Sequence, residues 1–302
     1  MQNISWKLLP EYPHKFEKFT RLRDNKNDAE LITDFQRNIY EFYKTHKRPM
    51  PWRDIDDPYR VLVSEVMLQQ TQVERIIKMY PPFIDAFPAI DVLAKAPFDK
   101  VFALWQGLGY NRRALFLHRC SKIIVERFDS VIPNKPDSLA ELPGLGWATA
   151  CSICTFAYNM PLAFIETNIR SVYLSFFFPD EKNVPDKHIL PLVEKTLDYD
   201  NPRQWYYALM DYGVMLKKML KNPSRRSAHH TKQSPFDGSF RQVRGAVMKQ
   251  LTERGSLSKT DLCSSLAFSN DAILAAVMCL ESEGFIIVNN DCITLKSDEL
   301  AQ

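Results

Sequence analysis

The chain has 302 residues, 45% hydrophobic and 25% charged, a composition that suits one large folded domain or two ordinary ones and excludes a disordered chain. Its 39 Lys and Arg against 36 Asp and Glu leave a formal charge of +3. No apolar run approaches the roughly 18 to 20 residues that cross a bilayer. Nine glycines, with neither GxGxxG nor GxxxxGK(S/T), exclude the glycine-rich nucleotide folds.

The opening MQNISWKLLPEYPHKFEKF has no compact apolar stretch ending in small residues, so the expected location is the cytoplasm. In chain order, apolar residues recur at three- and four-residue spacing over 31–43, 59–80, 98–108 and 112–128, predicting helices. Prolines, among them Pro58, Pro81, Pro82 and Pro97, are expected at the joints between them. No period-2 run of any length precedes residue 280, so the first 220 residues read as an all-α body. Residues 222–238, NPSRRSAHHTKQSPFDG, read as a polar linker. Beyond it, 240–253, 258–266 and 270–283 suit helices, and FIIVNNDCITL (285–295) suits a hairpin turning at Asn-Asn-Asp. Three helices and a hairpin make the winged-helix pattern, a small α+β module for DNA, for protein docking, or for capping the body.

Charge is unevenly spread. Residues 217–254 hold ten Lys or Arg and two acids, a local +8, which leaves 29 basic and 34 acidic residues, or −5, elsewhere. Such a stretch fits a polyanion partner, and equally a solvated linker. The six cysteines (Cys120, Cys151, Cys154, Cys263, Cys279 and Cys292) are scattered, and the lone CxxC at 151–154 has no second pair, so they read as packed thiols and no metal site is expected.

Three segments carry chemistry. In PYRVLVSEVMLQQTQ (58–72), Glu65 on a helix has Val61, Leu62, Leu68 and Gln69 at i±3 and i±4. Apolar flanks disfavour the ionised carboxyl and suit a general acid. Taken alone, such a glutamate also fits the edge of an apolar face, paired with an arginine. LPGLGWATA (142–150) places Gly144 and Gly146 in a tight hairpin before a helix whose first N–H groups are open to a phosphate. In FIETNIRSV (164–172), Glu166 stands where an apolar segment turns into a helix; taken alone, it also fits a simple capping acid.

The order of these segments, with MPWR before them, LWQGLGY (104–110) between them and ALMDYGVM (208–215) after them, resembles the helix-hairpin-helix base-excision DNA glycosylases, most closely the adenine DNA glycosylases of the MutY type. The resemblance covers about two-thirds of the chain. It implies a mainly α, two-lobed glycosylase fold over 28–221, preceded by an N-terminal extension (1–27) and followed by the linker (222–238) and the winged-helix-like domain (239–302). It also implies a monofunctional N-glycosylase, nucleoid-associated and monomeric, acting on duplex DNA with a mismatch or lesion, the target being a flipped adenine opposite G or 8-oxoguanine. Under it Glu65 is the acid, Glu166 the carboxylate that stabilises the sugar, and Asn168 the orienting amide. Gln69, Gln70 and Gln72 face the duplex, Tyr110 is the wedge, Arg112 and Arg113 meet phosphates, and Gly144 and Gly146 hold the backbone near the lesion. A glycosylase for thymine, uracil or a modified purine, and a non-catalytic structure-specific DNA-binding protein, are the alternatives.

The chain departs from that family at four points. Glu166 stands where the family has Asp, an extra reach of about 1.5 Å. Ala148 stands where bifunctional relatives carry the Schiff-base lysine, so lyase chemistry by that route is not expected. The stretch KKMLKNPSRRSAHH, where the family ligates a [4Fe–4S] cluster, has no cysteine, so no cluster is expected and the basic loop of Lys217, Lys218, Lys221, Arg225 and Arg226 would take over its DNA contacts. The winged-helix pattern replaces a nudix-like domain.

Overall fold

The computed structural model describes residues 14–24, 28–232 and 234–296; expectations for 1–13, 25–27, Gln233 and 297–302 lie outside it. In chain order the helices are α1 (Arg21–Asp24), α2 (Ala29–His46), α3 (Pro58–Leu68), α4 (Val73–Ala86), α5 (Ile90–Lys95), α6 (Phe98–Trp105), α7 (Arg112–Phe128) and α8 (Pro136–Ala140). There follow α9 (Trp147–Tyr158), α10 (Thr167–Phe177), α11 (Asp186–Thr196), α12 (Pro202–Met219), α13 (Phe240–Arg254), α14 (Lys259–Ser265) and α15 (Asn270–Glu283). Three short strands, β1 (Ser256–Ser258), β2 (Ile286–Asn289) and β3 (Cys292–Leu295), complete a mainly helical chain. Among the described residues no helix is long and apolar enough to cross a membrane. The chain divides into two units, one of residues up to Pro49 with Cys151–Thr231, the other of Met50–Ala150 with the chain from Lys232 onward.

The first unit is organised by aromatic packing. Asp28 caps α2 by accepting from Leu31 N at 3.0 Å, and the helix then buries Leu31, Phe35, Ile39, Phe42 and Tyr43 along one stripe. Phe35 meets Tyr173, Phe176, Phe177 and Trp205 edge-on, with centroids 4.9–5.7 Å apart. Each such pair contributes about 0.5–1.5 kcal/mol beyond the area it buries. Phe16 and Phe19 join the cluster through Phe176, at 4.0 and 5.3 Å, and Leu22 is buried with them. Residues 14–24 are therefore part of this core rather than an extension ahead of it. The start of the expected linker is also built in. Pro223, Ser224 and Ser227 are buried, a 3-10 turn spans Pro223–Arg226, and Val184 pairs with Ser227 as an isolated parallel bridge.

In the second unit, Asp57 caps α3 by accepting from Tyr59 N and Arg60 N, with Pro58 in the first turn, where its missing N–H does no harm. The expected helix over 59–80 is two helices, broken at 69–72, where Gln70 takes a left-handed φ of +53°. Conversely, Pro81 and Pro82 lie inside α4 instead of at a joint, and Pro191 lies inside α11. The bonds these nitrogens cannot donate are offset in α4 by the burial of Ile76, Tyr80, Phe83 and Ile84.

The C-terminal part of this unit is the expected winged-helix arrangement plus one element. β1, three residues long and so without visible alternation, adds to the hairpin to give a sheet of order β1-β3-β2, with Leu257 and Val288 both opposite Ile293. This module packs on α6 and α7. Phe285 lies 6.1 Å from the Phe98 ring, and the Glu283 carboxylate accepts from Arg112 at 2.6 Å and Arg244 at 2.5 Å. Burial alone would raise the Glu283 carboxyl, but the hydrogen bonds from Arg112, Arg244 and Cys279 outweigh it and hold it at about 2, against an ordinary 4.5. A depressed carboxyl stabilises the fold above its unfolded value and loses that contribution as pH falls through the folded one. Glu283→Gln is therefore expected to lower the unfolding temperature at pH 7, with the gap to wild type narrowing as pH drops from 4.5 toward 2. Calorimetry across that window checks it, and a gap independent of pH would remove Glu283 from this role.

Candidate active site

The segment entering α10 is anchored before it reaches Glu166. Phe164 stacks on Tyr206 at 4.2 Å, and the Tyr206 hydroxyl donates to Leu162 O at 2.8 Å. Glu166 then caps α10. Its Oε1 accepts from Asn168 N (2.7 Å) and Ile169 N (2.9 Å), and its Oε2 from Asn168 Nδ2 (3.2 Å). Three donors thus converge on one half-buried carboxylate at a helix N-terminus, a place that favours negative charge. The extra methylene relative to aspartate is taken up by folding the side chain back over the first turn.

Two residues of α12 complete this cluster. A Cβ on Gly213 would stand 2.3 Å from Asn168 O and 2.8 Å from Asn168 Cβ, so only glycine lets α12 come this close to the start of α10. One turn on, Lys217 donates from Nζ to Asn168 Oδ1 at 2.7 Å. Lys217 was expected among the phosphate contacts of a basic loop; its half-buried ammonium is instead turned inward to Asn168. Nearby, Asp211, 2% exposed, accepts from Arg48 N (2.9 Å) and Arg48 Nε (2.6 Å) and fixes the end of the α2 segment.

In the second unit Glu65 is half-buried on α3 between the buried Ser64 and Val66. The turn after it is held by Arg113. This guanidinium, 7% exposed, donates to Val66 O (2.9 Å), Met67 O (2.7 Å), Thr71 Oγ1 (2.7 Å) and Gly109 O (3.1 Å). Burial lowers it to about 10, which leaves it charged at neutral pH. Arg113 is thus an internal clamp and not a phosphate contact. Gln69 is also engaged internally, donating to Gly144 O at 3.1 Å and Thr149 Oγ1 at 3.3 Å, so it ties the glutamine turn to the hairpin. Gln70 and Gln72 are exposed.

Tyr110 follows two left-handed glycines, Gly107 (+89°) and Gly109 (+72°), and is itself left-handed at +48°. For a tyrosine this is strained backbone of the kind that clusters at functional sites. Its exposed ring (37%) lies over the Arg113 guanidinium at 5.5 Å. In the hairpin, Gly144 is required: φ is +78° and a Cβ would stand 2.8 Å from Phe116 Cβ. Gly146 has nothing within 4 Å of that position, so the backbone at the start of α9 is open to a bulky ligand.

Other cations expected at phosphates divide in the same way. Arg112 is paired with Glu283 as described. Arg226 donates to Phe178 O, to Pro179 O at 2.5 Å and to Leu174 O at 2.8 Å, satisfying carbonyls at the C-terminal end of α10. Lys218, Lys221 and Arg225 are exposed.

Gly213 is what the sequence reading missed at the site, and Lys217 is the residue it assigned to phosphate rather than to Asn168. The one available signal was a glycine inside the helical, mostly apolar ALMDYGVM, which on a buried helix marks close approach of a neighbouring backbone. Gly213→Ala is expected to force α12 away from α10, destabilising the chain by about 1–3 kcal/mol. Thermal unfolding of the variant checks this, and an unchanged midpoint would contradict the contact.

The comparisons with known proteins come to the same region. Residues 63–195 match the family model described as HhH-GPD superfamily base excision DNA repair protein. The adenine DNA glycosylase of Buchnera aphidicola subsp. Baizongia pistaciae is 34% identical over 187 residues, which are 60% of this chain and 52% of that one. The adenine DNA glycosylase of Mycobacterium tuberculosis is 36% identical over 136 residues, 45% of each. The chain spans about half the length of these curated relatives. A solved structure, a thermostable thymine-DNA glycosylase, superposes with a TM-score of 0.55 at 23% identity, over 61% of this chain and 86% of that one, and shows the fold to be shared. Residues 63–195, with the hairpin and the Glu166 cap inside them, match the HhH-GPD superfamily model, and over this region the chain is similar to adenine DNA glycosylases.

Proposed function

We propose that the chain is a monofunctional DNA N-glycosylase of base excision repair, which hydrolyses the N-glycosidic bond of an adenine flipped out of a mismatch opposite G or 8-oxoguanine. The observation that carries the reading is the Glu166 cluster: a carboxylate held by Asn168 N, Ile169 N and the Asn168 amide at the start of α10. Departure of a base leaves positive charge on the sugar, and a fixed carboxylate stabilises that charge without reorganising. Glu65 supplies the proton to a ring nitrogen of the adenine, making it a neutral leaving group, and water completes the exchange at C1′. A base must leave the stack for this chemistry, and the strained, exposed Tyr110 with Gln70 and Gln72 suits filling the gap in the duplex. The names of the curated relatives favour adenine as the base.

Ala148, exposed at the start of α9, carries no amine, which favours hydrolysis over lyase chemistry. A [4Fe–4S] cluster of the kind the family resemblance implies does not fit this chain, because residues 155–262 contain no cysteine to supply thiolates. Duplex DNA bound by a monomer is the partner in this reading. Its phosphate contacts fall to Lys218, Lys221 and Arg225 rather than to the winged-helix module. Residues 239–302 hold six basic and eight acidic residues, and the exposed side of α15 presents Asp271, Leu274, Met278 and Glu281.

Glu65→Gln is expected to abolish adenine release in single turnover while leaving duplex affinity within a few-fold of wild type. Release is read as alkali-revealed breaks across duplexes pairing A, G, T, U and hypoxanthine with normal and oxidised partners. A variant as fast as wild type would refute the acid assignment, and release of another base in preference to adenine would refute the substrate. Removing Lys221 and Arg225 together is expected to lower the slope of log affinity against log salt by about 1.8, close to one unit per contact. Arg226→Ala is expected to leave that slope alone and to cost stability instead, about 2 kcal/mol for its carbonyl bonds. Salt titrations of all three proteins separate the two kinds of arginine.

A further inference from the structure

We infer that Lys217 is a positioning residue for the proposed reaction: its ammonium selects the orientation of the Asn168 amide and through that amide holds the second oxygen of Glu166. The inference rests on the function proposed above and adds to it a residue that acts through another.

The geometry begins with helix periodicity. Gly213 and Lys217 are four residues apart on α12 and share one face. Gly213 brings that face against the backbone of Asn168, where a Cβ would stand 2.3 Å from the carbonyl oxygen. Lys217 therefore reaches the Asn168 side chain one turn further along, at 2.7 Å. An ammonium has donors only, whereas a carboxamide has an accepting oxygen at one end and two N–H donors at the other. With Lys217 in place the amide must offer its oxygen to Nζ, and the NH2 is turned to Glu166 Oε2 at 3.2 Å. Reversing the amide would set N–H groups against the ammonium and the oxygen against the carboxylate, which is unfavourable at both ends.

The charged groups facing Lys217 are Glu166, Arg170 and Arg48. Asp186 holds Arg170 through two bonds at 2.8 and 2.6 Å, and Asp211 holds Arg48. Burial lowers the Lys217 ammonium from its ordinary 10.5, with Glu166 pulling the other way. Glu166 itself needs no lysine for its Oε1, which has two backbone donors. Lys217 acts on the other oxygen, which accepts from the rotatable Asn168 side chain instead of from backbone.

Lys217→Met and Lys217→Arg in the full chain test this, with single-turnover release from an A-mismatch duplex measured beside duplex affinity at several salt concentrations. The Met variant is expected to release base slower by roughly 10- to 100-fold, the scale of a small misplacement of a reacting group. Its affinity and salt slope are expected to stay within twofold of wild type. The Arg variant restores most of the rate and carries the alkaline limb of the pH–rate profile to higher pH, because guanidinium stays protonated there. A Met variant with the wild-type rate overturns the inference. So does a loss confined to affinity with a salt slope lower by about 0.9, which would make Lys217 a phosphate contact after all. Hydrogen exchange of the Asn168 side-chain amide, followed by NMR, reads the same claim without substrate. Protection is expected in wild type and the Arg variant and not in the Met variant, and equal protection in all three overturns the inference. If wild type releases no base from any duplex, the proposed function fails, and the exchange experiment still decides the role of Lys217.

Discussion

A buried guanidinium organises the unit that carries Glu65. Burying a cation costs several kcal/mol unless its donors are matched, and both terminal nitrogens of Arg113 are matched by oxygens of α3 and of the loops that follow it, with Nε alone left unpaired. Val66 and Met67 lie in the last turn of α3, where the helix itself leaves carbonyls short of donors, and Gly109 lies in a loop with left-handed backbone. One side chain thereby fixes the end of the Glu65 helix, the turn that follows it through Thr71, and the loop that lifts Tyr110 into solvent. Gln69 extends the same framework to the hairpin at Gly144. The strained residues Gln70 and Tyr110 can then persist, because the structure on either side of them is over-determined.

The unit that carries Glu166 uses a different device to the same end. Close approach of two helices, possible only at Gly213, places a lysine against an amide and the amide against a carboxylate. A helix N-terminus supplies the remaining donors, so the carboxylate is directed by backbone on one oxygen and by side chains on the other. Asp211 and Arg48 brace the neighbouring turn of α12, and Arg226 closes the far end of α10 with hydrogen bonds to its last carbonyls. The loop that lacks cysteines is thus built into the unit through Arg226 and the Val184–Ser227 bridge.

The winged-helix module is joined to α6 and α7 through an aromatic contact and a carboxylate shared by two arginines, so it belongs to the second unit and is more than an appendage on a linker. Its exposed helix face, with acids and apolar side chains, suits contact with protein better than with phosphate. The basic character that the sequence shows over 217–254 therefore divides. Some of these cations hold the fold, and those left exposed ahead of the module are the ones fit to meet a polyanion.

Periodicity and motif order determined the helical body, the winged-helix pattern, the place of Glu65 on α3, the cap at Glu166 and the hairpin at Gly144, because each of these depends on residues near one another in the chain. α7 is legible to the residue, since its apolar spacing and boundaries are local. What the spacing could not decide is where long side chains go. Arg112, Arg113, Lys217 and Arg226 look alike in sequence as cations for phosphates, and tertiary structure sends one to a carboxylate, two to backbone carbonyls and one to an amide. The break at Gln70, the burial of residues 14–24 and the three-residue strand β1 were likewise settled by partners distant in sequence, since strained backbone, short strands and buried charge are stable only when packing elsewhere in the chain supports them.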